Sequence, residues 1–266
     1  MEQGINYNIV DRRSLLHYIP VMLFTITIIG HGGSGAAKFA DQMMIEILEA
    51  TPQYKAYVNA KDPSKIELLG EAMRQSFFDA DEQLRAFQET GQSDHSGCTS
   101  VVACITPNYI ICANAGDSRC VMGTGGVTKP LSEDHKPTDE AEKRRIESAG
   151  GVVSYKRVDG DLSVSRAFGD FQYKTRPDLP AKQQKVTCDP DITIHERTPS
   201  DDVLVLACDG VWDVLSSQDC VELVRDVFAG GESSMLLVAE EIVDTALDKG
   251  NIVVHFCMII TERYLS

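Results

Sequence analysis

Residues 99–123 read TSVVACITPNYIICANAGDSRCVMG. Thr99 to Thr106, Tyr109 to Asn114 and Ser118 to Gly123 are short apolar runs parted by Pro107-Asn108 and Gly116-Asp117. Both pairs are turn formers, so the stretch predicts three successive strands. Upstream the apolar period is helical: Phe39, Met43, Met44 and Leu48 within 36–48, then Leu68, Leu69, Met73, Phe77, Leu84 and Phe87 between about Pro63 and Gln88. Downstream a polar helix at Asp139 to Ala149 ends on Gly150-Gly151, and the apolar run Val203 to Ala207 predicts a buried strand. Helices at Gln218 to Phe228 and Ser233 to Lys249 and a strand at Ile252 to Thr261 complete the chain. Elements fall in blocks rather than in strict alternation, which predicts an α+β layered fold with antiparallel sheets. Repeats, low-complexity tracts and linkers are absent from the sequence. One domain over residues 21–266 is expected, preceded by an unassigned segment 1–20.

The composition fits a folded soluble chain: 43% hydrophobic and 24% charged residues among 266. A formal charge of -15 argues against nucleic acid as a partner, because phosphate-backbone binding needs a basic face. The eight cysteines contain no CxxC pair and lie mostly in apolar runs, so they read as reduced core thiols of an intracellular protein, cytoplasmic or nuclear. The apolar run Ile19 to Ile29 is too short for a membrane span. Its β-branched content favours a buried strand over the h-region of a signal peptide, given acidic Glu2 and Asp11 ahead of it.

Four segments combine glycine with Asp or His at predicted strand ends: Gly30-His31-Gly32-Gly33, Asn114 to Arg119, Asp161 to Asp170, and Ala207 to Asp213. Glycine permits a tight turn and close backbone approach, while carboxylates with carbonyl oxygens suit hard cations such as Mg2+ or Mn2+. Each segment alone is weak, since Asp-Gly after a strand is usually a plain turn. In order, and together with Ser96 to Thr99, Leu131 to Pro137 and Arg145 to Gly151, they resemble the metal-dependent serine/threonine protein phosphatases of the 2C type.

That resemblance, running from about Phe24 to Lys249, implies a four-layer α-β-β-α sandwich of two antiparallel sheets flanked by helices. It implies two Mg2+ or Mn2+ ions activating a water that attacks the phosphorus of phosphoserine or phosphothreonine. By the same resemblance His31 is the general acid, the Gly30 carbonyl and Asp209 are metal ligands, and Asp117 and Asp213 match positions of an additional, weaker metal. Thr99 lies near metal-bound water, and Arg166 organises the loop around Asp170. The expected partners are phosphoproteins, and the expected state is a monomer.

The chain also departs from that pattern. Ile29 stands where the family has the Asp that bridges both ions, and isoleucine has no oxygen to offer. A phosphate-binding Arg and a metal-binding Glu have no clear counterpart in Met1 to Pro20, where Glu2, Asp11, Arg12 and Arg13 are candidates by chemistry alone. Asp248-Lys249-Gly250-Asn251 runs straight into Ile252, without the family's Asp-Asn pair. Both altered places lie near the ends of the sequence, while the interior motifs are intact. Three expectations follow: a phosphatase with impaired turnover, an inactive pseudophosphatase that binds phosphoproteins or a kinase, or a sequence whose ends are not those of the functional protein.

Overall fold

The computed structural model describes residues 9–11, 22–91, 93–251 and 257–261; readings that fall on the remainder, including Glu2, Arg12, Arg13 and the first part of the final strand, lie outside it. In chain order the elements are β1 (Ile9–Asp11), β2 (Leu23–His31), α1 (Gly35–Ala50), α2 (Pro52–Ala60), α3 (Ile66–Glu89), β3 (Gly97–Ile105), β4 (Tyr109–Ala115), β5 (Arg119–Thr124) and β6 (Val127–Pro130). They continue as α4 (Glu140–Ser148), β7 (Val153–Ser154), β8 (Arg157–Val158), β9 (Phe168–Gly169), β10 (Asp191–Glu196), β11 (Asp201–Ala207), α5 (Asp209–Trp212), α6 (Ser217–Ala229), α7 (Met235–Asp248) and β12 (Cys257–Thr261).

One antiparallel sheet has the order β1-β2-β3-β4-β10, with β9 paired to the start of β3; the second is β12-β11-β5-β6. The period of two in a strand sorts the side chains into layers. Val101, Ala103 and Ile105 of β3, with Ile110 and Cys112 of β4, face Cys120, Met122, Leu204 and Leu206 of the second sheet. Their neighbours Val102, Cys104, Ile111 and Ala113 face the other way, onto Met44, Leu48, Leu69, Met73 and Phe77 of α1 and α3. Val121, Val203 and Val205 turn outward from the second sheet onto Val221, Val224, Val238 and Ile242 of α6 and α7. The result is the four-layer sandwich expected above.

Leu23 to Ile29 of the N-terminal apolar run form most of β2, paired along their length with β3. The predicted third strand behaves differently from a hairpin partner: β5 leaves β4 at Gly116 and joins β11 in the other sheet. Gly116, at φ +127, is therefore a crossing between sheets. Five elements escaped the sequence reading. They are α2, β6, the β7–β8 hairpin (Val153↔Val158), β9 and β10. The α2 start is nonetheless chemically signalled, since Thr51 caps it by accepting the Tyr54 N–H at 3.2 Å and Pro52 follows. A separate small core of Ile146, Val158, Val164, Ala167, Tyr173 and Val186 holds the irregular segment between α4 and β10.

Cys98, Cys104, Cys112, Cys120, Cys188, Cys208 and Cys220 are buried and free, and burial pushes the Cys98, Cys104 and Cys220 thiols well up, the last to about 12. Among the described residues no helix is long and apolar enough to cross a membrane.

Candidate active site

A cleft of about 350 Å3 opens where the ends of β2 and β3 meet the start of α5, lined by Ile29, His31, Thr99, Asp117, Asp170 and Asp209 among others. Register explains how two of these come together. His31 pairs with Gly97 on one side of β3, and Gly169 pairs with Gly97 on the other. Asp170, the next residue, then brings Oδ2 to 2.6 Å from His31 Nε2. A side chain at position 97 would forbid this, because its Cβ would sit 2.2 Å from the same Asp170 oxygen. Gly97 is thus a gap that a carboxylate fills. The His31 side chain remains 30% exposed to the cleft, while that of Asp170 is 5% exposed.

The Asp170 segment is held from beneath. Asp81 of α3 accepts from the Gly169 N–H at 2.8 Å and from Lys174 Nζ through both oxygens at 2.8 Å, and Lys174 also donates to the Ala167 carbonyl at 2.9 Å. These are buried groups, and each finds a partner of opposite charge or a backbone polar atom.

Asp117 and Thr99 lie on the crossing between sheets. Thr99 Oγ1 is 3.1 Å from Ser118 Oγ, and its side chain packs directly over Gly116, where a Cβ would fall 2.5 Å from Thr99 Cβ. Asp117 is buried and accepts from Lys136 Nζ at 2.7 Å. Asp209 opens α5, and Asp213 ends it, exposed to solvent. Burial first, and then the negative charges of Asp117 and Asp213, push Asp209 above the usual carboxylate range, with Lys136 acting against them. Asp117 and Asp213 therefore each lie near enough to Asp209 to repel its charge. The Trp212 indole anchors this turn by donating to the Ala207 carbonyl at 2.8 Å. Gly30 lies inside β2, where a Cβ would meet the Gly33 carbonyl oxygen at 2.9 Å.

Arg166 corrects an expectation. Its guanidinium does not reach Asp170. Instead it donates to Glu142 at 2.8 and 3.1 Å, to Asp191 at 2.7 Å and to the Asp189 carbonyl at 2.9 Å. The partner of Asp170 is His31. Lys136 belongs to the Leu131 to Pro137 motif, and nothing local in the sequence indicates that it returns across 19 residues onto Asp117.

The donor set tests whether a pair of divalent ions fits. Ile29 packs against the inter-sheet core and lines the cleft where a bridging carboxylate is expected. Asp117 is already paired with an ammonium group, and Asp213 points to solvent. Among the described residues no group of three or more His, Cys, Asp or Glu side chains is arranged to hold a metal ion. Hard cations are held by several converging oxygens, so these residues do not fit a two-ion cage.

Comparison with known proteins adds identity to this geometry. A family model described as protein phosphatase 2C matches residues 13–252. Protein phosphatase 2C homolog 3 of Schizosaccharomyces pombe is 42% identical over 220 residues, covering 82% of this chain and 50% of the relative. Protein phosphatase 2C homolog 2 of Aspergillus fumigatus is 44% identical over 220 residues, covering 82% and 48%. The chain spans about half the length of the curated relatives it matches. Among solved structures, a serine-threonine phosphatase 2C from Toxoplasma gondii superimposes with a TM-score of 0.76 at 24% identity, covering 90% of this chain and 83% of that one. A Caenorhabditis elegans sex determining protein gives 0.73 at 26% identity, covering 90% and 56%.

Proposed function

The chain belongs to the protein phosphatase 2C family, and on that premise we propose that it is a phosphoserine- and phosphothreonine-directed hydrolase whose turnover is impaired. Ile29 carries the reading: an apolar side chain lines the cleft beside Asp117 and Asp209, where the reaction of this family needs shared anionic ligands. What the chain retains is proton-transfer equipment. His31 faces the cleft with its ring oriented by Asp170, placed to give a proton to the leaving serine or threonine oxygen. Phosphoproteins are the partners this chemistry requires. A second reading, a phosphoprotein- or kinase-binding module without turnover, draws on the same Ile29 and on the absence of an Asp-Asn pair after Asp248.

Phosphate release from a phosphothreonine peptide with millimolar Mn2+ separates these readings. The expected result is release above a metal-free control but at least about 100-fold slower than by the S. pombe relative assayed alongside. Ile29→Asp alone is expected to leave that rate within about threefold, because Asp117 remains engaged and other ligands are still lacking. Brisk release at low Mg2+ would sink the impaired centre. No release above control would remove the hydrolase and leave the binding module.

A further inference from the structure

We propose that His95 is a phosphate-binding residue of the cleft: its ring, beside that of His31, seats the phosphoryl group of a phosphothreonine or phosphoserine peptide without a metal ion. This rests on the phosphopeptide reading above, and it names the side chain by which this chain tells a phosphorylated peptide from a plain one.

Register gives the first support. Ile29 pairs with Thr99 and His31 with Gly97, and His95 stands two residues before Gly97. Ile29, His31, His95 and Thr99 all line the cleft, and none of the four is a carboxylate. The anionic side chains around them are largely engaged. Asp170 meets His31 at 2.6 Å, Asp161 accepts from the Tyr173 hydroxyl at 2.7 Å, and Asp117 accepts from Lys136 at 2.7 Å. Asp209 is carried by the other sheet. An incoming anion is therefore repelled least along the wall of His31 and His95.

The His95 ring is also available. It is exposed and has no hydrogen-bond partner among the described residues, whereas Arg157, across the cleft lining, already donates to the Asp161 carbonyl. An imidazole carries at least one N–H, so His95 can donate to a phosphoryl oxygen in either charge state. Its loop, by contrast, is fastened. Asp94 accepts from the Ser34 N–H at 3.1 Å, from the Gly35 N–H at 3.1 and 3.2 Å, from the Ser96 N–H at 3.2 Å and from the Ser96 hydroxyl. Ser96 Oγ accepts in turn from the Ala36 N–H at 2.9 Å, and Gln88 Nε2 donates to the Ser96 carbonyl at 3.0 Å. These bonds sew the loop before β3 to the loop after β2, so the backbones that carry the two histidines keep a fixed relation. Little backbone ordering is left to be lost when the anion binds.

Fluorescence anisotropy of the full chain, in EDTA, with a labelled phosphothreonine peptide and its unphosphorylated twin tests the proposal by binding rather than turnover. The unmodified protein is expected to bind the phosphorylated peptide at least about tenfold more tightly than the twin. His95→Ala should weaken phosphopeptide binding at least about fivefold and leave the twin within about twofold, while His95→Lys, which keeps a donor, should stay within about threefold of the unmodified protein. Equal affinity for the two peptides, no measurable phosphopeptide binding, or undiminished discrimination by folded His95→Ala would overturn the proposal. A second measurement covers a variant that does not fold. In the unmodified protein with 15N-labelled histidine, the His95 ring resonances should move with the phosphopeptide and not with the twin; resonances that stay fixed while the phosphopeptide binds also overturn it. Phosphate release with Mn2+ is recorded separately. Discrimination in EDTA without any release supports this inference and removes the hydrolase, whereas release without discrimination in EDTA overturns the inference and leaves the hydrolase standing.

Discussion

A Glu142→Gln variant is expected to lose about 3–5 kcal/mol of stability at neutral pH, a fall of roughly 10 °C in melting temperature. Glu142 is 4% exposed and sits between two guanidinium groups. One oxygen accepts from Arg166 at 2.8 and 3.1 Å, and the other from Arg145 at 2.7 Å and from the Ser165 hydroxyl at 2.6 Å. Glutamine keeps the shape but removes the charge, leaving two largely buried cations around a neutral amide. The effect has a pH signature. Burial alone would raise the Glu142 pKa, but the hydrogen bond from Arg166 and the charges of Arg145 and Arg166 lower it from 4.5 to about 2. A lowered carboxylate pKa means that the unfolded chain binds the proton first. The stabilisation, about 3 kcal/mol, is therefore complete above about pH 4.5 and disappears as pH falls toward about 2. Urea midpoints of the two proteins measured at pH 7 and at pH 3 should converge at the lower pH. A gap that is as wide at pH 3 would show that Glu142 acts by shape alone.

The second large effect is expected from Lys174→Met, again about 3–5 kcal/mol, because Asp81 is left as a buried carboxylate without its cation. Adding Asp81→Asn should recover at least half of that loss, since the stranded charge is then gone. The pair does more than stabilise. Asp81 receives the Gly169 N–H and Lys174 receives its place from the Ala167 carbonyl, so together they fix both sides of the segment that presents Asp170 to His31. The single variant is accordingly expected to shift the His31 ring resonances in NMR. An unaltered His31 environment in a destabilised Lys174→Met protein would confine the pair to folding.

Much of the layering was legible because it is local. The alternation of Val101, Ala103 and Ile105 with Val102 and Cys104 declares a strand covered on both faces, and that is where β3 lies. Helix α3 was legible for the same reason at its own period. Helix α2 was not, since only Tyr54 and Tyr57 are buried along it and its apolar signal is thin. Strand β9 exists only because Gly169 meets Gly97, a pairing 72 residues apart that no local pattern encodes. The site divides in the same way. His31, Asp117 and Asp209 stand out as chemistry beside glycine at strand ends. Their partners do not: Asp170 is 139 residues from His31, and Arg166 reaches Glu142 across 24 residues instead of the loop that its proximity in sequence suggests.

The separation of the cleft residues between two sheets has a mechanical consequence. His31 and Thr99 ride on one slab, while Asp209 is carried by the end of the other. Val101, Ala103, Ile105 and Ile110 on one side meet Cys120, Met122, Leu204 and Leu206 on the other in a dispersive contact, while His195 of β10 pairs with Asp201 of β11 at 2.8 Å. The bulk of those few side chains acts as a spacer gauge. Overfilling or trimming Met122 or Leu206 is therefore expected to alter the spacing of the two sheets and with it the separation of His31 and Asp209.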